Sequence, residues 1–243
     1  MRETLSMKTL LLNTGFGWSA TTPYHQTLKK EKYCHKYLKE SHLLKRVFEG
    51  HTDISEYISY HESLPGERVT DFSNTNADLP EEFIERVAQE LRRHFNVKVT
   101  MIFRDPVRRL YSLCNHLYKE DIKHRVHGTS IQYFRHKLKQ PTASYVRTYR
   151  MYSKWFPTYT IIMEDLWKNP EKELPKLSEF LEYPLKNLHR NVYHTGEMGD
   201  DLLDQHTDFI PLSPVGYQMG RKELEYLYNE WLSEFGNIPA SWC

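Results

Sequence analysis

The sequence predicts an α/β fold of three layers, in which helices cover both faces of a mostly parallel sheet. Three short apolar runs have the pattern of buried strands: Lys8 to Asn13, Val97 to Phe103 and Tyr159 to Met163. A further short strand is expected from Arg68 to Ser73. Longer amphipathic segments separate these runs, and alternation of strand and helix is typical of parallel sheets, whose crossover connections are usually helical.

Helix signals lie between the strands. Thr22 can cap a helix and Pro23 suits its first position, and the segment from Leu28 to Phe48 is compatible with a basic helix. The run Asp78-Leu79-Pro80-Glu81 predicts a helix start with Asp78 as the cap, because apolar residues recur at helical spacing after it. Further helices are expected from Asp105-Pro106, from Thr142 to Phe156, after Asp165, and from about Arg221 to Phe235.

Length and composition favour a single domain over residues 1–243. Of the 243 residues, 39% are hydrophobic and 27% are charged, which is enough apolar material for a core. The formal net charge is only +1, which argues against a broad nucleic-acid-binding surface. No apolar run approaches the length of a membrane span or of a signal-peptide core, so we expect a cytoplasmic protein.

Cysteine and histidine spacing gives no support for a disulfide framework or a metal site. Cys34, Cys114 and Cys243 are far apart and odd in number. His124 and His127 form a possible ligand pair, but no third ligand is nearby, and with 13 histidines such a spacing is common by chance. We therefore expect no metal.

The loop from Thr14 to Thr22 suits an anion. Gly15 and Gly17 allow a tight turn, and free N–H groups at the start of the following helix would point at a negative charge. The loop contains no Gly-Lys-Ser/Thr, so the main sequence evidence for a Mg²⁺-dependent nucleotide triphosphatase is missing. Ligands of parallel α/β sheets bind beyond the carboxyl ends of the strands, so this loop and the junction at Arg104 are expected to face one crevice.

The junction from Arg104 to Ser112 reads R-D-P-V-R-R-L-Y-S. It places a guanidinium at a strand end and a hydroxyl two turns into the next helix, a pair that can clamp a phosphate monoester. The segment resembles the 3′-phosphate-binding signature R-D-P-x-x-R-x-x-S of the sulfotransferases that use 3′-phosphoadenosine 5′-phosphosulfate (PAPS), and matches it at every fixed position. The resemblance implies that Arg104 and Ser112 hold the 3′-phosphate of this nucleotide.

Other segments resemble the same family in the same order. Ser19-Ala20-Thr21-Thr22 is similar to the Ser-Gly-Thr-Thr of the family's 5′-phosphosulfate loop. The resemblance implies that these four residues, together with Gly17 and Trp18, bind the donor PAPS. Tyr152 to Pro157 and Glu164 to Leu166 are similar to its later W-x-x-x-F-P and E-D-L landmarks. Together these segments cover roughly residues 8–185. The chain thus resembles the PAPS-dependent sulfotransferases, closer to the carbohydrate, bacterial and viral type, with their P-loop-like fold.

The resemblance implies transfer of a sulfuryl group from PAPS to a hydroxyl or amine of a carbohydrate, lipid or small-molecule acceptor, leaving adenosine 3′,5′-bisphosphate (PAP). Such an in-line displacement needs positioning, a base and positive charge around the transferring oxygens. Asp71 is the candidate base, because Asp71-Phe72-Ser73 lies where many carbohydrate sulfotransferases carry Glu-Lys-Ser; a cap or turn role is the alternative. His25, His61 and His116 are alternative bases.

The chain departs from the family at Trp18, where a Lys or Arg usually stabilises the bridging oxygen. An indole cannot supply that charge, and core packing is its commoner role. Lys29, Arg108 and Arg109 are possible substitutes, although Arg108 and Arg109 can also form a solvated helix face and Arg109 can pair with Asp105.

Two further features leave alternatives open. Gly220-Arg221-Lys222 resembles the Arg-Lys-Gly that closes over the 3′-phosphate in some members, but a charged helix start explains it equally. The acceptor would contact loop-rich segments at Gly50 to Glu67 and Val192 to Gly220. The competing functions are a catalytically weak protein that binds PAP or a sulfated ligand on the same fold, and a divergent nucleoside or sugar kinase.

Overall fold

A computed structural model describes residues 7–16, 19, 21–35, 40–123, 130–138, 144–189 and 212–243. Its strands are β1 (Lys8–Asn13), β2 (Arg68–Phe72), β3 (Phe95–Phe103) and β4 (Thr158–Ile162). Its helices are α1 (Thr21–Lys30), α2 (Leu43–Phe48), α3 (Ile54–Ser63), α4 (Glu81–His94), α5 (Pro106–Lys123), α6 (Ser130–Leu138), α7 (Tyr145–Ser153), α8 (Met163–Lys168), α9 (Pro170–Leu181), α10 (Pro214–Glu223) and α11 (Glu225–Phe235).

The four strands form one parallel sheet in the order β2-β1-β3-β4. Helices lie on both faces, which confirms the predicted α/β class. The chain runs from β1 outward to β2, and then from β3 outward to β4 on the other side. The carboxyl ends of β1 and β3 therefore border the point where the strand order reverses, the usual ligand position in open α/β sheets.

Burial on both faces explains the apolar character of the central strands. Leu10, Leu11 and Leu12 are fully enclosed, and β3 is buried at every position except Asn96. Lys98 is a charged residue within β3, and its ammonium group donates to the Phe180 carbonyl at 2.7 Å and lies 3.0 Å from a Glu182 carboxylate oxygen. Near-continuous apolar strands are what a sheet covered on both faces requires.

Two compact units divide the chain. The first comprises residues 1–17, 21–103 and 147–190 and contains the whole sheet. The second comprises residues 18–20, 104–146 and 191–243 and contains α5, α6, α10 and α11. Within the second unit α10 approaches α5 closely at Gly220, where an added Cβ would lie 2.9 Å from both Val107 and Phe134 side-chain atoms. The single domain expected from chain length stays a prediction.

The predicted long basic helix is wrong, because the chain leaves helical geometry after Lys30 and α2 begins only at Leu43. Lys32 takes a left-handed conformation with φ of 58°. The N–H of Tyr33 bonds to the Leu28 carbonyl at 3.0 Å, and the N–H of Lys32 bonds to the Lys29 carbonyl at 3.1 Å. This pair of bonds is a Schellman ending, which turns the chain away from the helix axis.

Several predicted helix boundaries also need correction. Helix α1 already begins at Thr21, so Thr22 lies inside it and not at the cap position before it. Asp78 ends a 3₁₀ turn, and α4 begins at Glu81 after Pro80 without a side-chain cap. The segment expected to be loop-rich after Gly50 contains α3, whose N-cap Asp53 accepts from the Ser55 and Glu56 N–H groups at 2.7 and 3.0 Å.

The closing helix predicted from Arg221 is two helices. Helix α10 begins at Pro214, with the Ser213 hydroxyl accepting from the Gly216 N–H at 3.1 Å, and Leu224 separates it from α11. Gly220-Arg221-Lys222 therefore lies at the end of α10 and is not a helix start. Across the described part of the chain, each helix is too short or too polar to cross a bilayer.

The turn between β1 and α1 depends on a glycine. An added Cβ at Gly15 would lie 2.6 Å from the Thr21 Cγ2 atom, well inside van der Waals contact. We therefore expect Gly15→Ala to lower the free energy of unfolding by about 1–3 kcal/mol through overpacking. The double variant Gly15→Ala/Thr21→Ser removes the opposing methyl group and should recover most of the loss in urea denaturation. A Gly15→Ala protein as stable as the wild type would contradict this packing.

Candidate active site

The junction after β3 consists of only two residues. Strand β3 ends at Phe103 and α5 begins at Pro106, so Arg104 and Asp105 form the whole connection. The Asp105 carboxylate accepts from the Arg108 N–H at 2.9 Å and so caps α5. The observed strand and helix confirm those predicted here. The capping bond explains structurally why the R-D-P sequence has an Asp at this position.

Arg104 is held through its main chain. Its carbonyl accepts a 2.9 Å hydrogen bond from the Tyr145 hydroxyl, and the residue is 7% exposed. The Tyr145 ring packs near Trp231 and Trp242, with ring centroids 6.4 and 6.3 Å away. Aromatic packing thus fixes the backbone from which the Arg104 guanidinium extends.

The Asp105 carboxylate is enclosed by tyrosine hydroxyls. Its second oxygen accepts from Tyr217 at 2.9 Å and from Tyr228 at 2.8 Å, and Asp105 itself is fully buried. Burial raises the pKa of both tyrosines, and the neighbouring Asp105 charge raises it further. Both hydroxyls therefore stay protonated and donate to the carboxylate, which offsets the cost of burying it.

The cluster extends to the last described residues of the chain. The Trp242 carbonyl lies 3.2 Å from the Tyr217 hydroxyl and accepts from the Arg221 guanidinium, which also lies 4.1 Å from the Tyr228 ring centroid. Arg221, which the sequence left as a weak candidate for the 3′-phosphate, thus contacts aromatic and carbonyl groups of its own unit.

The remaining residues of the junction lie on α5. Ser112 is partly exposed. The Arg108 guanidinium lies 5.8 Å from the Tyr217 ring centroid, and that of Arg109 lies 5.2 Å from the Tyr145 ring centroid. Both arginines therefore stack on aromatic rings. The suggested pairing of Arg109 with Asp105 stays a prediction.

The loop after β1 begins as an extension of the sheet. The Thr14 N–H bonds to the Thr100 carbonyl at 3.0 Å, and the Asn13 amide donates to the same carbonyl at 3.2 Å. The Thr14 and Ser19 hydroxyls are buried and have no hydrogen-bond partner within the described residues. A buried hydroxyl normally has a partner, so both are suited to an incoming ligand.

Several residues of the predicted sites lie outside the described part of the chain. Gly17, Trp18 and Ala20 belong to the predicted donor loop, and His124 and His127 are the possible metal-ligand pair. Thr21 begins α1, and Thr22 is described only as part of that helix. Among the described side chains, no group of three or more His, Cys, Asp and Glu could hold a metal ion.

Asp71 lies at the carboxyl end of β2 and is fully buried. One carboxylate oxygen accepts from the Ser41 hydroxyl at 3.1 Å and from the Ser73 hydroxyl at 2.8 Å, and the other accepts from the Tyr57 hydroxyl at 3.1 Å. Burial, and then the Asp71 charge, raise the pKa of Tyr57, so this phenol donates and does not act as a base. Within the described residues no cation lies within ion-pair distance of Asp71.

The alternative histidine bases are less suited to an acceptor. His25 is buried in α1, with its ring centroid 5.2 Å from the Phe72 ring centroid in an edge-on arrangement. His61 is fully buried; its Nδ1 lies 2.9 Å from the Tyr57 carbonyl, and burial lowers its pKa. The side chain of His116 lies outside the described part of α5.

A parallel α/β sheet in which β1 and β3 run into anion-suited junctions is typical of nucleotide-binding proteins. A family model described as "Sulfotransferase domain" matches residues 25–200, well over half of the chain. The chain belongs to the sulfotransferase family. A comparison with curated proteins gave no significant sequence match.

Solved structures share the fold at low sequence identity. A sulfotransferase from Alicyclobacillus acidocaldarius is 14% identical, with a TM-score of 0.52 over 96% of this chain and 97% of that chain. The mouse sulfotransferase SULT7A1, solved in complex with PAP, is 14% identical, with a TM-score of 0.58 over 93% of this chain and 85% of that chain. At this identity the likeness confirms the fold.

The hydroxyl donors to Asp105 should contribute measurably to stability. Tyr228→Phe leaves a buried carboxylate with one donor fewer, and we expect it to lower the free energy of unfolding by about 1.5–3 kcal/mol. The matched control is Tyr226→Phe on the same helix, where the side chain is exposed and a change of less than about 0.5 kcal/mol is expected. Equal urea denaturation curves for the two variants would contradict the structural role of this bond.

Proposed function

We propose that this sulfotransferase uses PAPS as its donor and transfers the sulfuryl group to a hydroxyl of an acceptor, releasing PAP. The observation that carries the proposal is the junction from Arg104 to Ser112. It matches the family signature at every fixed position and is built as a strand end that continues directly into α5. A carbohydrate, a lipid or a small hydroxylated molecule would suit as the acceptor.

The proposal assigns the 3′-phosphate to Arg104 and Ser112. A guanidinium can donate two parallel N–H bonds to a phosphate, and it is always charged. The Arg104 side chain extends from a backbone that the Tyr145 hydroxyl holds, so the backbone has little conformational freedom to lose on binding. The partly exposed Ser112 would add a hydroxyl donor from the second turn of α5.

The 5′-phosphosulfate is assigned to the loop after β1 and the start of α1. Helix α1 has ten residues and begins at Thr21 with no acidic residue in its first turn, so its free N–H groups and dipole favour an anion. The hydroxyls of Thr14 and Ser19, buried without a partner among the described residues, are further donors. Gly17, Trp18, Ala20 and Thr22 complete the proposed donor loop.

Asp71 is the proposed base. Its carboxylate accepts only neutral hydroxyl donors in the described structure, so a proton can be added without breaking an ion pair. His25 remains the alternative. For the cation missing at Trp18 the candidates are Lys29, Arg108 and Arg109; the stacked positions of the two arginines on tyrosine rings favour the exposed Lys29.

The phosphate assignment is tested by comparing two nucleotides. PAP carries the 3′-phosphate and adenosine 5′-monophosphate lacks it, so calorimetric titration should give the wild type a clear preference for PAP. Arg104→Ala should lower PAP affinity about 100-fold, as expected for loss of roughly 3 kcal/mol of charged hydrogen bonds, and should leave binding of the monophosphate little changed. Ser112→Ala should lose less.

The matched control is Arg93→Ala, which removes an exposed arginine from the surface of α4 and should leave both affinities unchanged. Equal affinity of the wild type for the two nucleotides would contradict the assignment of the 3′-phosphate. Thermal stabilisation by ATP and Mg²⁺ but not by PAP would favour the kinase alternative instead.

A further inference from the structure

Asp71 has no direct route to an acceptor. The residue is 0% exposed, and two of its three hydroxyl donors, Ser73 and Tyr57, are each 1% exposed. The third donor, Ser41, is only partly buried. A substrate hydroxyl must lie within hydrogen-bond reach of the group that takes its proton, directly or through one bridging group. Ser41 is the partly exposed hydroxyl that meets this requirement.

The hydrogen bonds around Asp71 also point to Ser41. Ser41 and Ser73 each have one hydroxyl proton, and each donates it to the same Asp71 oxygen, at 3.1 and 2.8 Å. The Ser73 oxygen then accepts the His42 N–H at 3.0 Å. Within the described residues the Ser41 oxygen has no donor beyond the Ser73 hydroxyl, 3.2 Å away, whose proton already goes to Asp71. The lone pairs of Ser41 are left for a donor from outside.

The backbone holds Ser41 in place from both sides. Glu40 and His42 both take left-handed conformations, with φ of 55° and 52°, which is uncommon for residues other than glycine. The Glu40 N–H bonds to the Phe72 carbonyl at 2.6 Å, and the His42 Nδ1 atom lies 3.0 Å from the Thr75 hydroxyl. The last residue of β2 and the residues after it therefore fix the strained segment that presents Ser41, and strain of this kind is concentrated at functional sites.

We propose that Ser41 is a catalytic residue that relays the acceptor proton to Asp71; this inference rests on the proposed function, in which Asp71 is the base. The acceptor O–H donates to the Ser41 oxygen, and the Ser41 proton already points at Asp71. As the acceptor oxygen forms its bond to sulfur, its O–H bond breaks, the proton moves to Ser41, and the original Ser41 proton moves to Asp71.

The electron pairs and charges balance without any further reactant. The bond between sulfur and the bridging oxygen of PAPS breaks, and its electron pair leaves with the 5′-phosphate of PAP. Asp71 ends as a neutral carboxylic acid, and Ser41 is unchanged after the step. Tyr57 stays protonated throughout, because burial and Asp71 raise its pKa, so it holds the carboxylate without competing for the proton.

Release of labelled sulfate from PAPS into water provides an assay that needs no knowledge of the natural acceptor, because water can occupy the acceptor position. Ser41→Ala should lower this turnover about 100-fold or more, which is the usual contribution of positioned proton transfer, while PAP affinity stays at the wild-type value. Ser41→Thr keeps a hydroxyl and should retain most of the turnover. The matched control Tyr57→Phe removes a buried donor to Asp71 and should cost less than Ser41→Ala.

Solvent isotope effects give a second readout that a structural role would not change. Two protons move together in the wild type, so its rate should curve with the fraction of D₂O, whereas Ser41→Ala should show a linear dependence. Ser41→Ala turning over like the wild type while Asp71→Asn is inactive would overturn the relay and leave the base in place. Weakened PAP binding in a folded Ser41→Ala protein would also overturn it. A wild-type chain that binds no PAP, or that transfers no sulfate from PAPS either to water or to a mixture of hydroxylated acceptors, would instead refute the proposed function.

Discussion

The buried carboxylate of Asp105 is the constraint on which the proposed phosphate site depends. It ends the two-residue junction between β3 and α5, and it joins α5 to α10 and α11 through the hydroxyls of Tyr217 and Tyr228. The neighbouring Arg104 carbonyl is fixed by Tyr145, whose ring packs near Trp231 and Trp242. The backbone of the junction therefore depends on residues far along the chain, since Tyr217 and Tyr228 lie 112 and 123 positions after Asp105.

Asp71 and Asp105 are both buried carboxylates held by tyrosine hydroxyls, but they differ in their access to solvent. Each is fully buried and accepts hydrogen bonds from tyrosine hydroxyls, whose pKa values are raised by burial and by the carboxylate. The oxygens of Asp105 are occupied by a helix N–H and by tyrosines, which suits a structural anchor. Asp71 instead has a partly exposed serine among its donors. This difference in access separates a carboxylate that supports the fold from one that could receive a proton.

The sequence predicted the strands and several of the helices, but it did not predict the side-chain hydrogen bonds between residues far apart in the chain. Strand β1 was predicted with its observed ends, and β3 and α5 were predicted because their apolar pattern, Asp105 and Pro106 are all local signals. The long helix after Leu28 was wrong, because no Gly or Pro marks the left-handed turn at Lys32. Ser41 lies 30 residues from Asp71, and Tyr217 lies 112 residues from Asp105, so no spacing rule could pair them.

A crystal structure of the chain with PAP is the most direct test of the phosphate assignment. We predict that the 3′-phosphate lies within hydrogen-bond distance of both the Arg104 guanidinium and the Ser112 hydroxyl, since a bidentate arginine and one hydroxyl can hold a phosphate monoester together. The adenosine 5′-phosphate should then lie against the N-terminus of α1. PAP bound with its 3′-phosphate away from Arg104, or bound in the reverse orientation, would contradict the assignment.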